Sequence, residues 1–276
     1  MSADILMLNP MSPPIMEDLE ANFTVHKLYE ADDKDRMLAE VGEKIRGVTT
    51  NGHAGAPPHI LDKLPNLEIV SSFGVGYDAI DTDDCKRRGI RVTNTPGVLD
   101  DAVAEVTMGL LLAMVREIVA ADVYVRRGDW LKGAYPLTGE LTGKTLGILG
   151  LGRIGKEIAS RAQAFKMQVV YHGRSEQKHV PYPYFADLTK MAEYADYLVV
   201  IVPGTGTDKI VSREVMNALG PEGGLVSIGR GNTVDEVEMV AALKEGRLGM
   251  AALDVFVDEP NVPAELLEMS NVVLSP

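Results

Sequence analysis

Cysteine occurs once in this sequence, at Cys85, and tryptophan once, at Trp130. One thiol cannot form an intramolecular disulfide, and such sparing use fits a reducing compartment. Basic residues are scarce beside acidic ones: 27 Lys and Arg against 40 Asp and Glu give a formal charge of -13. That balance weighs against a nucleic acid or an anionic membrane surface as partner, though it leaves room for local basic pockets. Long apolar runs are missing as well. The longest, MGLLLAMV at 108–115, sits in an amphipathic pattern and falls short of the roughly 18 residues a membrane helix needs. The opening MSADILMLNPMSPP has no basic stretch followed by a long apolar one, so no secretory signal is expected. No His/Cys/Asp/Glu cluster has metal-ligand spacing, so no metal is expected. These absences together point to a cytoplasmic protein.

What is present is ordinary globular material: 276 residues, 46% hydrophobic, enough for one large domain or two of medium size. Short Val/Ile/Leu-rich runs alternate with helical patterns. Strands are expected at Ile5–Leu8, Thr24–Leu28, Gly47–Thr50, Glu68–Phe73 and Arg91–Thr93, then at Thr145–Leu149, Gln168–Tyr171, Tyr197–Ile201, Leu225–Ile228, Met250–Leu253 and Val272–Leu274. Most lack polar alternation, as parallel strands buried on both faces do, and the strand–helix rhythm predicts an α/β fold. After the turn Asn94-Thr95-Pro96-Gly97, apolar residues at Val103, Val106, Leu110, Met114 and Ile118 predict one long helix running to about Arg127 and stopping at Gly128. It either bridges two lobes or is a long core helix. The boundary is expected near residue 98, dividing the chain into 1–98 and 99–276. Thr233 and Glu236 read as a T-x-x-E capping box for a further helix that stops at Gly246.

Chemistry concentrates in a few stretches. TLGILGLGRIGKEIA carries Gly150, Gly152 and Gly155 as G-x-G-x-x-G between a strand and a helix. In that context the first glycine allows the tight turn, the second lets backbone approach a pyrophosphate, and the third lets helix and strand pack closely. An NAD site usually has an acid about 20 positions on, for the ribose 2′-hydroxyl. Here His172 and Gly173 stand in that place, followed by Arg174 and Ser175. Without the carboxylate there is nothing to repel a 2′-phosphate. Arg174 can pair with that phosphate and Ser175 can donate to it, which favours NADP(H). Glu176 is acidic but lies past the strand. Two further stretches, GGLVSIGRGNTVDE and MAALDVFVDEP, put Arg230, Asp254 and Glu259 after strands, where open α/β sheets bind ligands. An arginine held between glycines suits a carboxylate substrate. Glu259 on its own reads equally as a solvated loop acid.

SSFGVGYDAID (71–81), NTPGVLDDAVAE (94–105), GLGRIG (150–155), VPGTGTDKIV (202–211), SIGRG (227–231) and ALDVFVDEP (252–260) occur in an order that resembles the D-isomer-specific 2-hydroxyacid dehydrogenase family along the whole chain. With Arg174 where it stands, the sequence is most similar to the NADPH-preferring glyoxylate/hydroxypyruvate reductases. The resemblance implies two Rossmann-like lobes with doubly wound parallel sheets. Residues 1–98 form the substrate lobe, 99–276 bind the dinucleotide, and the cofactor lies in the cleft between them. It implies hydride transfer from NADPH to C2 of a small 2-oxo acid. Arg230 would bind the substrate carboxylate, and the backbone of Val75 and Gly76 would grip it from the other lobe. Glu259 would orient a general-acid histidine and keep it protonated. Gly150, Gly152, Arg153, Ile154, Gly155, Arg174, Ser175, Val202, Pro203, Thr207, Ile228, Gly229, Arg230 and Asp254 would contact the cofactor, with Asp254 near the nicotinamide carboxamide. The family's histidine follows Ser-Pro directly. The sequence given ends at Pro276, and none of His26, His53, His59, His172 and His179 fits that motif. The expectation is therefore that the histidine, and a segment returning to the first lobe, lie just beyond Pro276.

A homodimer is also expected from the family, and Trp130 resembles an aromatic that some relatives lend to a neighbouring subunit. Trp130 reads as well as a partly buried core residue. Two other functions share the fold: another dehydrogenase of the family, acting on phosphoglycerate, formate or phosphite, and a non-catalytic dinucleotide sensor. The missing acid argues against NAD-linked members. Keeping both Arg230 and Glu259 argues against a sensor, which needs neither.

Overall fold

The computed structural model describes residues 2–204 and 208–276, which fall into two compact units, Met1–Leu99 and Asp100–Pro276. The first unit alternates strand and helix throughout: β1 (Asp4–Met7), α1 (Pro13–Asn22), β2 (Thr24–Lys27), α2 (Lys34–Val41), β3 (Ile45–Asn51), α3 (Pro58–Leu61), β4 (Ile69–Phe73), α4 (Thr82–Arg87) and β5 (Arg91–Thr93). Its strands form a parallel sheet in the order β2-β1-β3-β4-β5. Aspartates start two of its helices: Asp33 accepts from the Arg36 N–H and Asp81 from the Asp84 N–H, each satisfying a donor the helix itself cannot. Leu6, Ile45, Val48, Val70, Ile80 and Cys85 make the core, so the single thiol serves as a small apolar group.

The second unit begins with α5 (Asp100–Val115) and α6 (Ile118–Arg126). It continues as β6 (Thr145–Leu149), α7 (Arg153–Ala164), β7 (Gln168–His172), α8 (Leu188–Tyr194), β8 (Tyr197–Val200) and α9 (Arg213–Leu219), and ends with β9 (Gly224–Ser227), α10 (Glu236–Lys244), β10 (Met250–Leu253), α11 (Ala264–Leu267) and β11 (Val272–Leu274). The sheet is wholly parallel, ordered β7-β6-β8-β9-β10-β11. Every residue of β6, β8 and β9 is buried. Successive side chains point to opposite faces. Ile148, Val199 and Val226 enter one core with α5 and α7, while Leu149, Leu198, Val200 and Leu225 enter the other with α8, α9 and α10. Two-sided burial is why these strands read as unbroken apolar runs.

Trp130, for which a partly buried core place was one expectation, is 66% exposed, and the structure departs from the helix expectations at two points. The expected long helix is two helices. Glu117 adopts φ 49°, ψ 37°, a left-handed conformation, and breaks the chain direction between α5 and α6. That conformation costs a non-glycine residue roughly 1–2 kcal/mol. The burial of Met108, Leu110, Leu111, Met114 and Val115 on α5 outweighs it, since each large apolar side chain contributes roughly 1.5–3 kcal/mol. The Tyr135 hydroxyl also donates to Glu117 Oε2 at 2.7 Å. α6 buries none of its residues and leaves Ile118, Val119, Val123 and Val125 exposed. The second departure is the cap of α10. Its N-cap is Asp235, whose Oδ1 accepts from the Glu238 N–H at 3.3 Å. The Thr233 hydroxyl is buried and donates to the Arg230 carbonyl at 2.6 Å, so it is unavailable to cap. Among the described residues, no helix is long and apolar enough to cross a membrane.

Removal of the true cap should therefore be felt and removal of the apparent partner should not. Asp235→Ala is expected to lower unfolding free energy by about 1 kcal/mol in urea titrations, and Glu236→Ala by less than half of that.

Candidate dinucleotide and substrate site

The last residues of the six strands in the second unit form one row of Cα partners: His172, Leu149, Val200, Ser227, Leu253 and Leu274, in spatial order. Because all strands run the same way, the chain leaves the sheet at one edge six times. The order reverses at β6: β7 lies on one side of it and β8 on the other. The crevice at the carboxyl ends of β6 and β8 is where this class of sheet binds its ligand.

The glycines line that crevice in three different ways. Gly150 has φ +105°, and a Cβ there would sit 2.5 Å from the Ile201 carbonyl oxygen and 2.9 Å from Val202 Cγ1. A Cβ on Gly155 would run into the Gly150 carbonyl oxygen. Both are glycine because protein atoms leave no room. Gly152 is the N-cap of α7, and a Cβ on it would meet nothing within 4 Å. Nothing in the fold requires glycine there, whereas a ligand approaching the backbone would. The turn thus fits a pyrophosphate against the start of a twelve-residue helix. Arg153 is exposed beside it and Ile154 is half-buried.

At the end of β7 the His172 ring donates from Nδ1 to the Phe185 carbonyl at 2.8 Å, and no carboxylate replaces it. Arg174 and Ser175 follow, both exposed. The loop they ride on is built. The Tyr184 hydroxyl donates to the Gly173 carbonyl at 3.1 Å, and the hydroxyl of buried Tyr171 accepts from the Gln177 N–H at 2.7 Å. Gln177 Nε2 donates to the Leu151 carbonyl at 2.7 Å, joining this loop to the glycine turn. No sequence motif marks Gln177.

After β8 come Val202, half-buried, and Pro203, exposed; Thr207 lies outside the described residues. The loop after β9 packs against this segment. A Cβ on Gly229 would be 2.7 Å from the Val202 carbonyl oxygen, and Asn232 Nδ2 donates to the Gly204 carbonyl at 3.1 Å. Ile228 and Gly229 are buried and Arg230 is half-buried. The arginine is positioned from both ends. Its Nη1 donates to the Gly229 carbonyl at 2.7 Å, and its own carbonyl accepts from the Thr233 N–H and hydroxyl. Past β10, the Asp254 N–H donates to the Ser227 carbonyl at 2.9 Å. Burial pushes the Asp254 carboxyl above the usual carboxylate range. The Ser275 hydroxyl donating to it pulls the other way, and the charge of Glu259 adds to the rise. Glu259 Oε1 accepts from the Phe256 N–H at 3.0 Å.

In the first unit, the loop after β4 has its own geometry. Gly74 takes φ +126°, its N–H donates to Thr95 Oγ1 at 3.0 Å, and its carbonyl accepts from the Thr95 N–H at 2.9 Å. The Val75 carbonyl accepts from Asn94 Nδ2 at 2.9 Å. In a trans peptide, N–H and C=O point opposite ways. Tying both carbonyls to residues 94–95 therefore turns the N–H groups of Val75 and Gly76 away from that side together, as an anion-binding nest requires.

A glycine turn at the switch point of a parallel sheet, open above Gly152, defines a dinucleotide-binding α/β protein. The model for the "D-isomer specific 2-hydroxyacid dehydrogenase, NAD binding domain" family matches residues 108–276, and the chain belongs to that family. It is 48% identical over 276 residues to a glyoxylate/hydroxypyruvate reductase A of Arabidopsis thaliana, covering 100% of this chain and 88% of that one. It is 47% identical to a hydroxyphenylpyruvate reductase of Plectranthus scutellarioides, covering 99% and 87%. Among solved structures, a 2-hydroxyacid dehydrogenase from Ketogulonicigenium vulgare superposes with TM-score 0.93 at 43% identity, covering 100% of this chain and 88% of that one. An NADPH-dependent glyoxylate/hydroxypyruvate reductase from Sinorhizobium meliloti, in complex with NADP and malonate, superposes with TM-score 0.91 at 40% identity, covering 100% and 86%. The ligand class of the turn is a nicotinamide dinucleotide.

Gly152 and Gly155 should separate by assay. Gly152→Ala is expected to leave the melting temperature within about 2 °C yet weaken dinucleotide binding at least about tenfold by calorimetry. Gly155→Ala should cost roughly 1–3 kcal/mol of stability, because its methyl has nowhere to go.

Asp254 gives a pH signature. Its folded pKa is raised, so the native state holds its proton more tightly than the unfolded chain. Stability from this group is complete below the ordinary carboxylate range and is lost as pH rises through the raised value. Asp254→Asn should therefore gain on the parent as pH rises from about 4 to 7 in urea titrations. A constant difference between the two across that range would disprove the raised value.

Proposed function

We propose that this chain is an NADPH-dependent reductase of small 2-oxo acids, of the glyoxylate/hydroxypyruvate type. The observation that carries the cofactor choice is the end of β7. His172 is hydrogen-bonded to Phe185 where an NAD site would have a carboxylate, and Arg174 and Ser175 stand free of acidic competition from the strand itself. Arg174 pairs with the 2′-phosphate and Ser175 donates to it. Gly150, Gly152 and Gly155, with the exposed Arg153 and half-buried Ile154, receive the pyrophosphate. Val202, Pro203, Ile228 and Gly229 line the path to the nicotinamide, Thr207 belongs to the same set, and Asp254 meets the carboxamide. The 99–276 segment is then the cofactor domain and 1–98 the substrate lobe. The names of the relatives support the substrate class.

Bound NADPH supplies a hydride to C2 of the oxo acid. The protein's residues hold that acid and handle its proton. Arg230 binds the carboxylate and polarises the carbonyl, aided by the N–H groups of Val75 and Gly76. Glu259 takes the role of the carboxylate that keeps a histidine protonated as general acid. The family carries that histidine directly after Ser-Pro. The Ser275 N–H donates to the Leu253 carbonyl at 2.8 Å, so a residue following Pro276 would leave the sheet beside Asp254 and Glu259. The apolar face of α6, with Ile118, Val119, Val123 and Val125 exposed, supports a homodimer.

The test is oxidation of NADPH and of NADH by glyoxylate and hydroxypyruvate, followed by absorbance, on protein made from the full gene. Turnover with kcat/KM favouring NADPH at least about tenfold is expected. Arg174→Ala should cut the NADPH value about 10- to 100-fold and leave NADH nearly unchanged, and Arg230→Gln should cut both. Equal use of the two cofactors by the parent would refute the Arg174 reading. Cofactor binding without turnover on either acid would refute the reductase.

A further inference from the structure

We infer that Gln177 is a positioning residue for the cofactor: it couples the loop that selects the 2′-phosphate to the turn that receives the pyrophosphate. The inference rests on the proposed NADPH reading and adds a residue to it. Arg174 and Ser175 sit at the exposed tip of a loop, and an exposed arginine spends side-chain and loop entropy to hold a phosphate. What limits that loss is how firmly the loop is tied behind the tip. Residue 177 provides two of the ties. Its backbone N–H donates to the hydroxyl of Tyr171, a residue 1% exposed inside the core. Its side chain reaches 26 positions back in sequence, to the carbonyl of Leu151.

The choice of acceptor matters. Leu151 lies between Gly150 and Gly152, in the part of the turn where the peptide can most easily rotate. The Leu151 carbonyl and the Gly152 N–H belong to one planar trans peptide and point in opposite directions. Fixing the carbonyl towards Gln177 fixes the Gly152 N–H on the opposite side, at the start of α7. One amide group thereby sets the orientation of a pyrophosphate donor and the position of the 2′-phosphate loop. The two anionic ends of the adenosine half are held at a fixed span before the ligand arrives. A merely structural glutamine would stabilise the fold without distinguishing a ligand with a 2′-phosphate from one without.

The experiment uses the full-length protein and two probes, 2′,5′-ADP and 5′-AMP, with calorimetric Kd values, NADPH and NADH kinetics, and a melting curve for each variant. Gln177→Met keeps the length and loses the donor; Gln177→Asn keeps a donor that is too short to reach. Both are expected to weaken 2′,5′-ADP about fivefold and 5′-AMP less than twofold, to lower the NADPH-to-NADH ratio of kcat/KM about as much, and to melt within a few degrees of the parent. In an Arg174→Ala background Gln177→Met should affect 2′,5′-ADP no more than it affects 5′-AMP, since the 2′-phosphate effect acts through the loop that carries Arg174. If Arg174→Ala lowers the NADPH preference but neither Gln177 variant does, the coupling is wrong and the NADPH reading stands. An equal loss on both probes would also overturn the coupling and leave Gln177 a support for the glycine turn alone. If Arg174→Ala leaves NADPH preference intact, the cofactor reading fails, and the inference with it.

Discussion

The register of the second sheet is the constraint on which the site depends. Six strands end on one row of partners, from His172 at one edge to Leu274 at the other. Every group given a role in the proposed reaction by that unit is the first to seventh residue past the row. A slip of one residue in any strand would exchange its two buried faces, moving Ile148 into the place of Leu149 or Val199 into that of Val200. Both cores are closely packed, so the slip is costly. The same burial that makes the sheet stable thus fixes the position of Gly150, Arg174, Val202, Arg230 and Asp254 relative to one another. No catalytic precision has to come from the loops alone.

Above that row the loops brace each other through backbone contacts. Glycine at 229 lets the loop after β9 lie against the Val202 carbonyl, and glycine at 204 makes space for Asn232 and the Arg230 stem. These contacts leave few rotatable elements between the sheet and the Arg230 guanidinium. Such a scaffold suits an acidic protein that takes up anions in the proposed reaction. With a formal charge of -13, long-range attraction cannot supply the affinity. In the proposed reaction short-range donors must: the helix N-terminus at Gly152 and single arginines held in place.

Much of this was readable from the chain. Strands β6, β8 and β9 were legible because two-sided burial leaves an uninterrupted apolar run, and G-x-G-x-x-G was legible because Gly150 and Gly155 answer local steric demands while Gly152 leaves space for a ligand. What escaped the sequence depended on competition between local signals or on contacts distant along the chain. Thr233-x-x-Glu236 and Asp235-x-x-Glu238 both satisfy the same capping pattern. The second prevails because the Thr233 hydroxyl is already committed to the Arg230 carbonyl. The break at Glu117 escaped because apolar spacing resumes after it and one reversed residue leaves no periodic trace. Gln177 escaped because its partner is the carbonyl of Leu151, a group every residue possesses.

The Thr233 case shows how closely fold and chemistry are joined here. A threonine that looked like part of a helix cap instead holds the backbone of the arginine that faces the substrate in the proposed reaction. Its hydroxyl and its N–H both end on the Arg230 carbonyl, which pins the peptide on one side of the guanidinium while the Gly229 carbonyl holds Nη1 on the other. Asp235 takes over the cap at the next available position, so α10 loses nothing by the arrangement. Separating the two tasks by two residues lets the helix start be optimised for stability and the turn before it for positioning. Asp254 shows the converse, where the two aims conflict. A half-buried carboxyl just past the row is a cost to the fold at neutral pH, because its charged form is desolvated and faces Glu259. The sheet tolerates that cost since the Leu253 and Ser227 backbone bonds on either side hold the strand in register regardless of the side chain. In the proposed reaction a residue so placed serves the ligand at the edge of the sheet rather than the stability of the fold.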